Sequence, residues 1–415
     1  MRKLAAVALA AALLLAAPAD ARWTRLPDLS PAGAVSSASV AVDARGAGVA
    51  VWSLEDEASP ITRVVSAARP AGGRFGAPIE VPGSNGLFPR VALAPGGEAF
   101  AVWETLVDRG ENTGRRLDGA FRPPGGAFGA AAPVTASADF DELGAVAYDE
   151  DGTLYLTHHG DRTELLIRRP GAAFVAEAHP GLGAIELDRT GRMTFLVTLP
   201  GPAIGVRTRA ASGELAPARR LAGYTCTDDP EEPTCAFGGA AVAASRSGRG
   251  LVAWCVPSGR YLALRYATRA PGDTSFGPAR SLRSVSGHCG PEAELGRAAD
   301  GVLTWVSRGQ LRAVRFTRSG RPSPVRELGP VVSGTVQAAV SPRGDIVLAW
   351  NAPGQRLRVA TRTFGHAIGP PVTLASDLRD GPAVGIDAAG RALVAYVGGG
   401  TGAGGRRTRA LAWRP

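Results

Sequence analysis

The sequence predicts an all-β fold in which a four-stranded unit is repeated about eight times, and three observations predict it. A strand–turn–strand segment recurs along the chain. The glycines of its turns lie 39 to 57 residues apart. An Arg-rich strand and then a Pro-led strand follow most copies. Repeats of about 50 residues with several strands each are typical of ring-shaped β-architectures.

Residues 340–350 show the repeated segment most clearly. Pro342 and Gly344 occupy the second and fourth positions of SPRG, which is the chemistry of a type I turn. A Gly in such a place can adopt a positive φ and begin the return strand. Residues 346–349 are then apolar without alternation, which is typical of a strand covered on both faces. Trp350 ends this strand.

The turn glycines align the repeats with one another. The eight aligned positions are Gly46, Gly97, Gly152, Gly191, Gly248, Gly301, Gly344 and Gly390. Four of the turns begin with Asp43, Asp149, Asp188 and Asp387, whose carboxylates can accept hydrogen bonds from backbone N–H groups two residues later.

Two more polar strands follow each segment. In the first repeat they are 63–70 (RVVSAARP) and 76–81 (GAPIEV). Pro at the start of a strand suits an outermost edge, since Pro has no N–H to donate. Four strands per repeat make a blade, so the sequence predicts a single β-propeller of eight four-stranded blades. Because the step from Gly152 to Gly191 is the shortest, seven blades is the alternative number.

The two ends of the chain complement each other. The last repeat stops after its third strand, and residues 24–29 resemble a fourth strand that has no repeat of its own. We predict that this N-terminal strand completes the last blade and closes the ring, which removes the exposed sheet edges. Residues 22–415 therefore form one propeller domain.

Residues 1–21 have the pattern of a signal peptide. Arg2 and Lys3 precede an apolar run of 14 residues, and Ala19-Asp20-Ala21 is a small-x-small cleavage site. The run is shorter than the roughly 18–20 residues that span a bilayer as a helix. We predict an exported, extracellular protein without a membrane span, and we expect a monomer.

The chain resembles the β-propeller superfamily, and most closely exported bacterial propellers with repeats of about 50 residues. The segment Tyr148-Asp149-Glu150-Asp151-Gly152-Thr153 resembles the Asp-box of sialidases. It lies between the first and second strands of its repeat, whereas sialidases carry the box between the third and fourth. No sialidase catalytic motif is matched, so the resemblance implies the fold and not that activity.

The composition limits the partners. The formal net charge is +9, and nearly all the basic residues are Arg. Aromatic and basic residues are not interleaved as in nucleic-acid-binding proteins, so we predict no nucleic-acid partner. An extracellular protein or a glycan is the expected kind of partner.

Four cysteines in an exported chain indicate disulfides. They are Cys226, Cys235, Cys255 and Cys289. Propeller geometry favours the pairs 226–235 and 255–289 among the three pairings. No CxxC spacing indicates a metal site in this set.

Five tryptophans share one position of the repeat, which predicts packing between blades rather than ligand binding. In the third repeat that position holds His158, followed by His159 and Asp161. Neighbouring strand residues point to opposite faces, so both imidazoles cannot easily bind one metal ion.

Charged residues of the loops predict a disc with two differently charged faces. One face should carry the acidic loops, and the other the arginine-rich turns. The acidic set is Glu55, Asp56, Glu57, Glu104, Asp139, Asp141, Glu142, Asp161, Asp228, Asp229, Glu231, Glu232, Glu292, Asp377 and Asp380. The basic set is Arg45, Arg74, Arg189, Arg192, Arg246, Arg249, Arg321, Arg343 and Arg391.

These patterns predict a non-catalytic binding or scaffold protein that uses its acidic loop face. The candidate ligand-face residues are Glu55, Glu104, Asp141, His158, His159 and Asp161. No cofactor is expected, although the acidic face could hold Ca²⁺. The alternative is a glycan-active hydrolase or lyase with a pair of carboxylates, such as Glu104 and Asp141, at the mouth of the propeller channel.

Overall fold

The computed structural model shows a chain made of antiparallel sheets, and no helix occurs among the residues that it describes. Those residues are 22–30, 34–55, 62–108, 113–135, 142–159, 163–178, 182–188, 191–199, 203–223, 239–258, 261–286, 289–296, 300–332, 336–399 and 405–414. The predicted signal peptide, residues 1–21, lies outside them.

In the described residues, 32 strands form eight four-stranded sheets, which confirms the eight-bladed β-propeller. The N-terminal strand is β1 (Arg22–Arg25). Blade 1 contains β2 (Ala34–Val42), β3 (Gly48–Glu55), β4 (Thr62–Arg69) and β5 (Ile79–Glu80). Blade 2 contains β6 (Leu87–Leu93), β7 (Ala99–Asp108), β8 (Thr113–Arg122) and β9 (Ala132–Pro133). Blade 3 contains β10 (Glu142–Tyr148), β11 (Leu154–His159), β12 (Thr163–Arg168) and β13 (Val175–Ala178). Blade 4 contains β14 (Leu182–Leu187), β15 (Met193–Leu199), β16 (Ala203–Arg209) and β17 (Arg219–Gly223).

The second half of the chain repeats this order. Blade 5 contains β18 (Ala240–Ala244), β19 (Gly250–Ser258), β20 (Tyr261–Arg269) and β21 (Arg280–Val285). Blade 6 contains β22 (Glu292–Leu295), β23 (Gly301–Ser307), β24 (Gln310–Phe316) and β25 (Arg326–Pro330). Blade 7 contains β26 (Val336–Val340), β27 (Ile346–Ala352), β28 (Arg356–Arg362) and β29 (Val372–Ala375). Blade 8 contains β30 (Ala383–Ile386), β31 (Ala392–Gly399), β32 (Arg406–Arg414) and β1.

The strand order gives the disc two faces and a central channel. The first strand of each blade is innermost and the fourth is outermost. We call the face with the second-to-third-strand loops and the loops between blades the loop face. The face with the first-to-second and third-to-fourth turns is the turn face.

The N-terminal strand closes the ring as the sequence predicts. Strand β1 pairs with β32, with Trp23 opposite Trp413. The backbone N–H groups of Leu26 and Leu29 continue the pairing by donating to the carbonyls of Ala410 and Thr408. The strand begins at Arg22, two residues before the predicted start.

The core lies between neighbouring blades. The second strands are almost wholly buried, because each is covered by a blade on both sides. The five repeated tryptophans are fully buried there and belong to apolar clusters shared by two blades, which confirms their packing role. They are Trp52, Trp103, Trp254, Trp305 and Trp350.

Seven of the eight aligned glycines have a positive φ, and Gly301 is the exception. In blade 6 the N–H of Gly296 donates to the carbonyl of Asp300, as the N–H of Ser341 donates to Asp345 in blade 7. Gly301 is therefore the first residue of the second strand of blade 6 and follows the hydrogen-bonded pair Gly296–Asp300. The alignment of Gly301 with the turn glycines was wrong by two residues.

Buried turn carboxylates connect one blade to the next. The carboxylate of Asp345 in blade 7 lies against Gly390 in the turn of blade 8, where an added Cβ would overlap it. Asp387 of blade 8 lies in the same way against Gly46 of blade 1. The repeated glycine thus provides both a positive φ and room for the carboxylate of the preceding blade.

Strand irregularities divide the ring into two halves. The first strands of blades 1–4 each contain a register shift against the second strand. In the described residues, the first strands of blades 5–8 pair without such a shift. The channel wall is therefore irregular on one side only, and β-bulges are common next to functional sites.

Candidate functional site

Three of the predicted ligand-face residues lie together where blades 2 and 3 meet on the loop face. Glu104 is in the second strand of blade 2. In blade 3, His158 pairs with Leu143 and His159 pairs with Glu142. Glu55 lies exposed at the end of β3 in blade 1. Asp141 and Asp161 are outside the described residues.

Glu104 joins blade 2 to blade 3. It is 4% exposed, and its carboxylate accepts hydrogen bonds from Nη1 of Arg115 at 2.8 Å and from the backbone N–H of Leu143 at 3.3 Å. A buried carboxylate with both partners in place stabilises the contact between the blades. Glu104 therefore has a structural role at the edge of the candidate site.

The two histidines have different surroundings. Nε2 of His158 lies 3.2 Å from Oε2 of Glu164, and the His158 side chain is 6% exposed. His159 is half-buried. Within the described ranges, no group of three or more His, Cys, Asp or Glu side chains is arranged to bind a metal ion.

Sequence reasoning missed an exposed aromatic residue at this mouth of the channel. Phe88, in the first strand of blade 2, is 51% exposed and has a φ of 52°. A bulky residue with positive φ is strained, and such strain is concentrated at functional sites. The only signal in the sequence is that Leu87-Phe88-Pro89-Arg90 breaks the small-residue pattern of the other first strands.

Arg90 lies two residues further along the same strand and is exposed to the channel. The surrounding protein lowers the pKa of Arg90, and the carboxylates of Glu104 and Glu142 partly oppose this shift. Glu142 is itself exposed on the first strand of blade 3. The mouth thus combines an aromatic ring, a guanidinium group and a carboxylate that solvent can reach.

A pair of carboxylates lies in the channel wall of blade 6. Glu292 and Glu294 are two residues apart on β22 and point to the same side. Desolvation raises the pKa of both, and the neighbouring Glu292 contributes to raising the pKa of Glu294 to about 8. Glu292 is exposed and Glu294 is half-buried, so water reaches both groups although the surrounding protein desolvates them in part.

The charges of the two faces are more mixed than predicted. The described acids Glu55, Glu104, Glu142, Glu292, Asp377 and Asp380 do lie on the loop-face side. Arginines share the loop face with them: Arg63, Arg115, Arg116, Arg308, Arg356, Arg379, Arg406 and Arg407. On the turn face, Arg343 and Arg391 form ion pairs with Asp345 and Asp387. The described residues of the two predicted sets therefore lie on the predicted faces, but each face also carries the opposite charge, so neither face has charges of one sign.

The charges instead differ from blade to blade. Blade 3 carries more acids than arginines: Glu142, Asp149, Glu150, Asp151, Glu164 and Glu177 against Arg168 and Arg169. Blade 5 has the opposite balance: Arg246, Arg249, Arg265, Arg269, Arg280 and Arg283 against Asp273. Polar ligands therefore meet a different electrostatic field at different blades.

Among the described residues, grooves open on the turn face at three boundaries between neighbouring blades. Each lies between the outer strand of one blade and the end of the third strand, or the turn that follows it, in the next. The grooves between blades 3 and 4, 6 and 7, and 8 and 1 have volumes of about 500, 480 and 580 Å³. Volumes of this size are typical of small-molecule sites.

One of the two predicted disulfides is present. Cys255, at the end of the second strand of blade 5, is bonded to Cys289 in the loop that leads to blade 6. Both residues are fully buried. Cys226 and Cys235 lie outside the described residues.

Comparisons with known proteins show the fold. No protein-family profile and no curated protein matches the chain. The BP39L lectin from Burkholderia pseudomallei is similar in structure, with 12% identity over 84% of this chain and 100% of the lectin and a TM-score of 0.53. The β-propeller domain of the Trilobed protease from Pyrococcus furiosus has 10% identity over 83% of this chain and 96% of its own, with a TM-score of 0.46. The polysaccharide lyase Uly1 has 11% identity over 93% and 90%, with a TM-score of 0.47.

A search of the described residues for a helix of sufficient length and apolar character to cross a membrane found none.

Proposed function

We propose that this eight-bladed β-propeller is a non-catalytic binding protein that holds a glycan at the loop-face mouth between blades 2 and 3. The protein acts outside the cell in this proposal, as the leader sequence predicts. The observation that carries the proposal is Phe88, a half-exposed aromatic residue with a positive φ beside the channel.

The strain at Phe88 argues for a role in binding. A residue in the left-handed region costs about 1–2 kcal/mol unless it is glycine. The exposed ring recovers little of this cost through burial in the protein. A sugar ring that stacks on the aromatic face would bury it, as aromatic residues do at many binding surfaces.

The polar neighbours of Phe88 suit hydroxyl groups. Arg90 can donate hydrogen bonds and Glu142 can accept them, and both are exposed at the channel. Glu104 is held by Arg115 and Leu143, so it supports the blade contact beneath the ligand. The similarity in structure to the BP39L lectin supports a carbohydrate ligand.

The test is binding of the purified protein to a glycan panel, followed by affinity measurements on variants. We expect Phe88→Ala to weaken binding of the best glycan at least about fivefold, since stacking contacts on an aromatic ring contribute roughly 1–3 kcal/mol. Tyr261→Ala is the matched control, because Tyr261 is an exposed aromatic on the loop face of blade 5. Equal losses in both variants, or none in Phe88→Ala, would contradict the proposal.

Binding of Ca²⁺ to the same mouth should be measured alongside glycan binding. A thermal-shift titration with Ca²⁺ measures whether the carboxylates of the mouth bind a cation, since a ligand that binds only the folded state raises its stability. A saturable shift that Glu142→Gln removes would add a cation to this site.

One observation favours a second candidate function, a glycan-active hydrolase. Glu292 and Glu294 are close carboxylates with raised pKa values, which is the kind of pair that glycoside hydrolysis needs. The test is product formation from a glycan panel by the wild type and by Glu294→Gln. Activity in the wild type that is lost in Glu294→Gln would establish that the protein is a hydrolase. Glycan binding without product formation in both proteins would support a non-catalytic binding protein.

A further inference from the structure

The three turn-face grooves can be compared residue by residue, because the strand register places equivalent positions in each. In blade 3, Leu165 on the third strand pairs with Glu177 on the fourth. In blade 6 the equivalent residue Ala313 pairs with Arg326. Both Leu165 and Ala313 pair with the fourth residue of the second strand, Thr157 and Thr304. Arg326 thus occupies the place of Glu177.

The groove between blades 3 and 4 contains its own counter-charge. Oε1 and Oε2 of Glu177 accept hydrogen bonds from Nη2 and Nε of Arg209 on blade 4, at 2.6 and 2.9 Å. This is the bidentate geometry in which a carboxylate and a guanidinium group fit best. The chain itself therefore shows that a carboxylate and a guanidinium group can pair in a groove between two blades.

The groove between blades 6 and 7 has the opposite charge. Arg315, Arg326 and His366 line it, and its lining contains no carboxylate in the part of the chain that is described. Nε of Arg315 is buried without a hydrogen-bond partner among the described residues. Arg362 lies behind the groove, where burial and the charge of Arg315 lower its pKa.

The acids near this groove bind other arginines. Asp300 pairs with Arg318, and Asp345 pairs with Arg343. Glu327, next to Arg326, pairs with Arg312 at 3.2 Å. Arg326 has no side-chain hydrogen bond or ion pair within the described residues, so its positive charge is available to a ligand.

The walls of the groove are apolar. Pro324, Val325 and Ile368 form them together with Ala313. An apolar wall with two guanidinium groups suits a ligand that has both a carboxylate and a face of C–H groups. An acidic sugar combines these two features.

We propose that the groove between blades 6 and 7 is a second binding site, selective for carboxylate-bearing ligands such as uronic acids. Arg315 and Arg326 bind the carboxylate, and Pro324, Val325 and Ile368 contact the sugar ring. The site lies on the turn face and is independent of the glycan site at the loop-face mouth.

The probe is galacturonic acid, measured by calorimetry or ligand-observed NMR on the whole chain, with galactose as its neutral counterpart. We expect saturable binding of galacturonate and none of galactose. Galactose 6-sulfate distinguishes selectivity for the carboxylate from binding of any anion, and equal affinity for the sulfate would overturn the carboxylate assignment.

Reversing the charge at equivalent positions of blades 6 and 5 tests whether galacturonate binds in the groove between blades 6 and 7. Arg326→Glu should lower the affinity for galacturonate at least about tenfold, because a charge-assisted hydrogen bond is lost and a like charge is added. Arg280→Glu makes the same change at the equivalent position of blade 5, where Arg280 pairs with Tyr266, and should have no effect. Phe88→Ala should also leave galacturonate binding intact, which separates this site from the loop-face mouth.

Two more variants decide between the grooves. Glu177→Gln releases Arg209 in the groove between blades 3 and 4, and we expect a second equivalent of galacturonate to bind. Arg74→Glu changes the groove between blades 8 and 1, which Arg74 lines. Binding that survives Arg326→Glu but is lost in Arg74→Glu would overturn the proposal. Thermal unfolding of each variant verifies that it is folded.

Discussion

Glu177 of blade 3 and Arg209 of blade 4 form a two-hydrogen-bond ion pair across the boundary between their blades. The Arg209 side chain is 7% exposed and the Glu177 side chain is 40% exposed. Arg209 is therefore almost completely desolvated, and the carboxylate that compensates its charge comes from another blade. A contact of this kind fixes how the two blades pack.

Removal of this carboxylate should destabilise the propeller. Glu177→Gln leaves the buried guanidinium group without its charge partner, and we expect a loss of about 1–3 kcal/mol in the free energy of unfolding. Glu80→Gln is the control, since Glu80 forms an exposed pair with Arg63 on blade 1. The control should cost less than about 1 kcal/mol. Urea denaturation measures both, and equal costs would contradict the role of burial.

The channel carboxylates should make stability fall as pH rises. The pKa of Glu294 in the folded protein is raised from 4.5 to about 8, so the folded state holds a proton that the unfolded state has lost in this range. The contribution of Glu294 to the free energy of unfolding is therefore largest below pH 4.5. It decreases as the pH rises towards 8.

Glu294→Gln tests this dependence, because the amide stays neutral at every pH. The variant should melt at a higher temperature than the wild type at pH 9 and at the same temperature at pH 4. Glu214→Gln changes an exposed carboxylate on blade 4 and should show no such pH-dependent difference. A melting curve for Glu294→Gln that follows the wild type at pH 9 would refute the assignment.

The turn glycines should tolerate alanine unequally. At Gly390 φ is 78°, and an added Cβ would overlap the carboxylate of Asp345. At Gly365 φ is 88°, and nothing lies within 4 Å of an added Cβ. Gly365→Ala should cost about 1–2 kcal/mol through backbone strain alone. Gly390→Ala should cost about 1–3 kcal/mol more through overpacking, which chemical denaturation of the pair measures directly.

We expect the Phe88→Gly variant of the protein to be more stable than the Phe88→Ala variant. Both substitutions remove the ring, but only glycine adopts a φ of 52° without strain. The strain relief of about 1–2 kcal/mol exceeds the extra entropy of glycine in the unfolded chain, about 0.4–1 kcal/mol. We expect Phe88→Gly to have the higher urea midpoint. A higher midpoint for Phe88→Ala would show that the backbone at this bulge is unstrained.

The Cys255–Cys289 disulfide should contribute substantially to stability. It closes a loop with a sequence separation of 34 residues, for which the chain-entropy relation gives about 3–4 kcal/mol. Replacing both cysteines with alanine should lower the free energy of unfolding by about this amount or more, because two fully buried sulfur atoms are lost as well. The measurement compares the double variant with the wild type, each with and without reductant; only the wild type should respond to reductant through this bond.

Much of the fold could be predicted because its signals are local. The type I turn chemistry, the apolar second strand and the closing Trp lie within one short segment, such as residues 340–350. Blade 6 shows the limit of this approach. Its turn lacks the usual sequence, and only the hydrogen bond from Gly296 to Asp300 shows where the second strand begins.

The candidate sites could be predicted only in part, because they depend on contacts between blades. The sequence identified Glu104 and the two histidines, but the role of Glu104 depends on Leu143 of the next blade. Arg326 could not be distinguished from the many other arginines, since its proposed binding role was inferred from its structural equivalence with Glu177. Register shifts in the fourth strands of blades 4–7 hide that equivalence from a sequence alignment.

The pairing of β1 with β32 has a consequence for how the molecule assembles and opens. Arg22 and Arg414 are opposite each other, so this contact closes a loop of nearly the whole chain. The loop-closure entropy for such a length is about 5 kcal/mol, far more than for any hairpin within a blade. The other blades can form from residues that are near in sequence, so we expect this contact to form after them. By the same argument we expect the ring to open first at this contact, so that the pairing of β1 with β32 sets how long the ring stays closed.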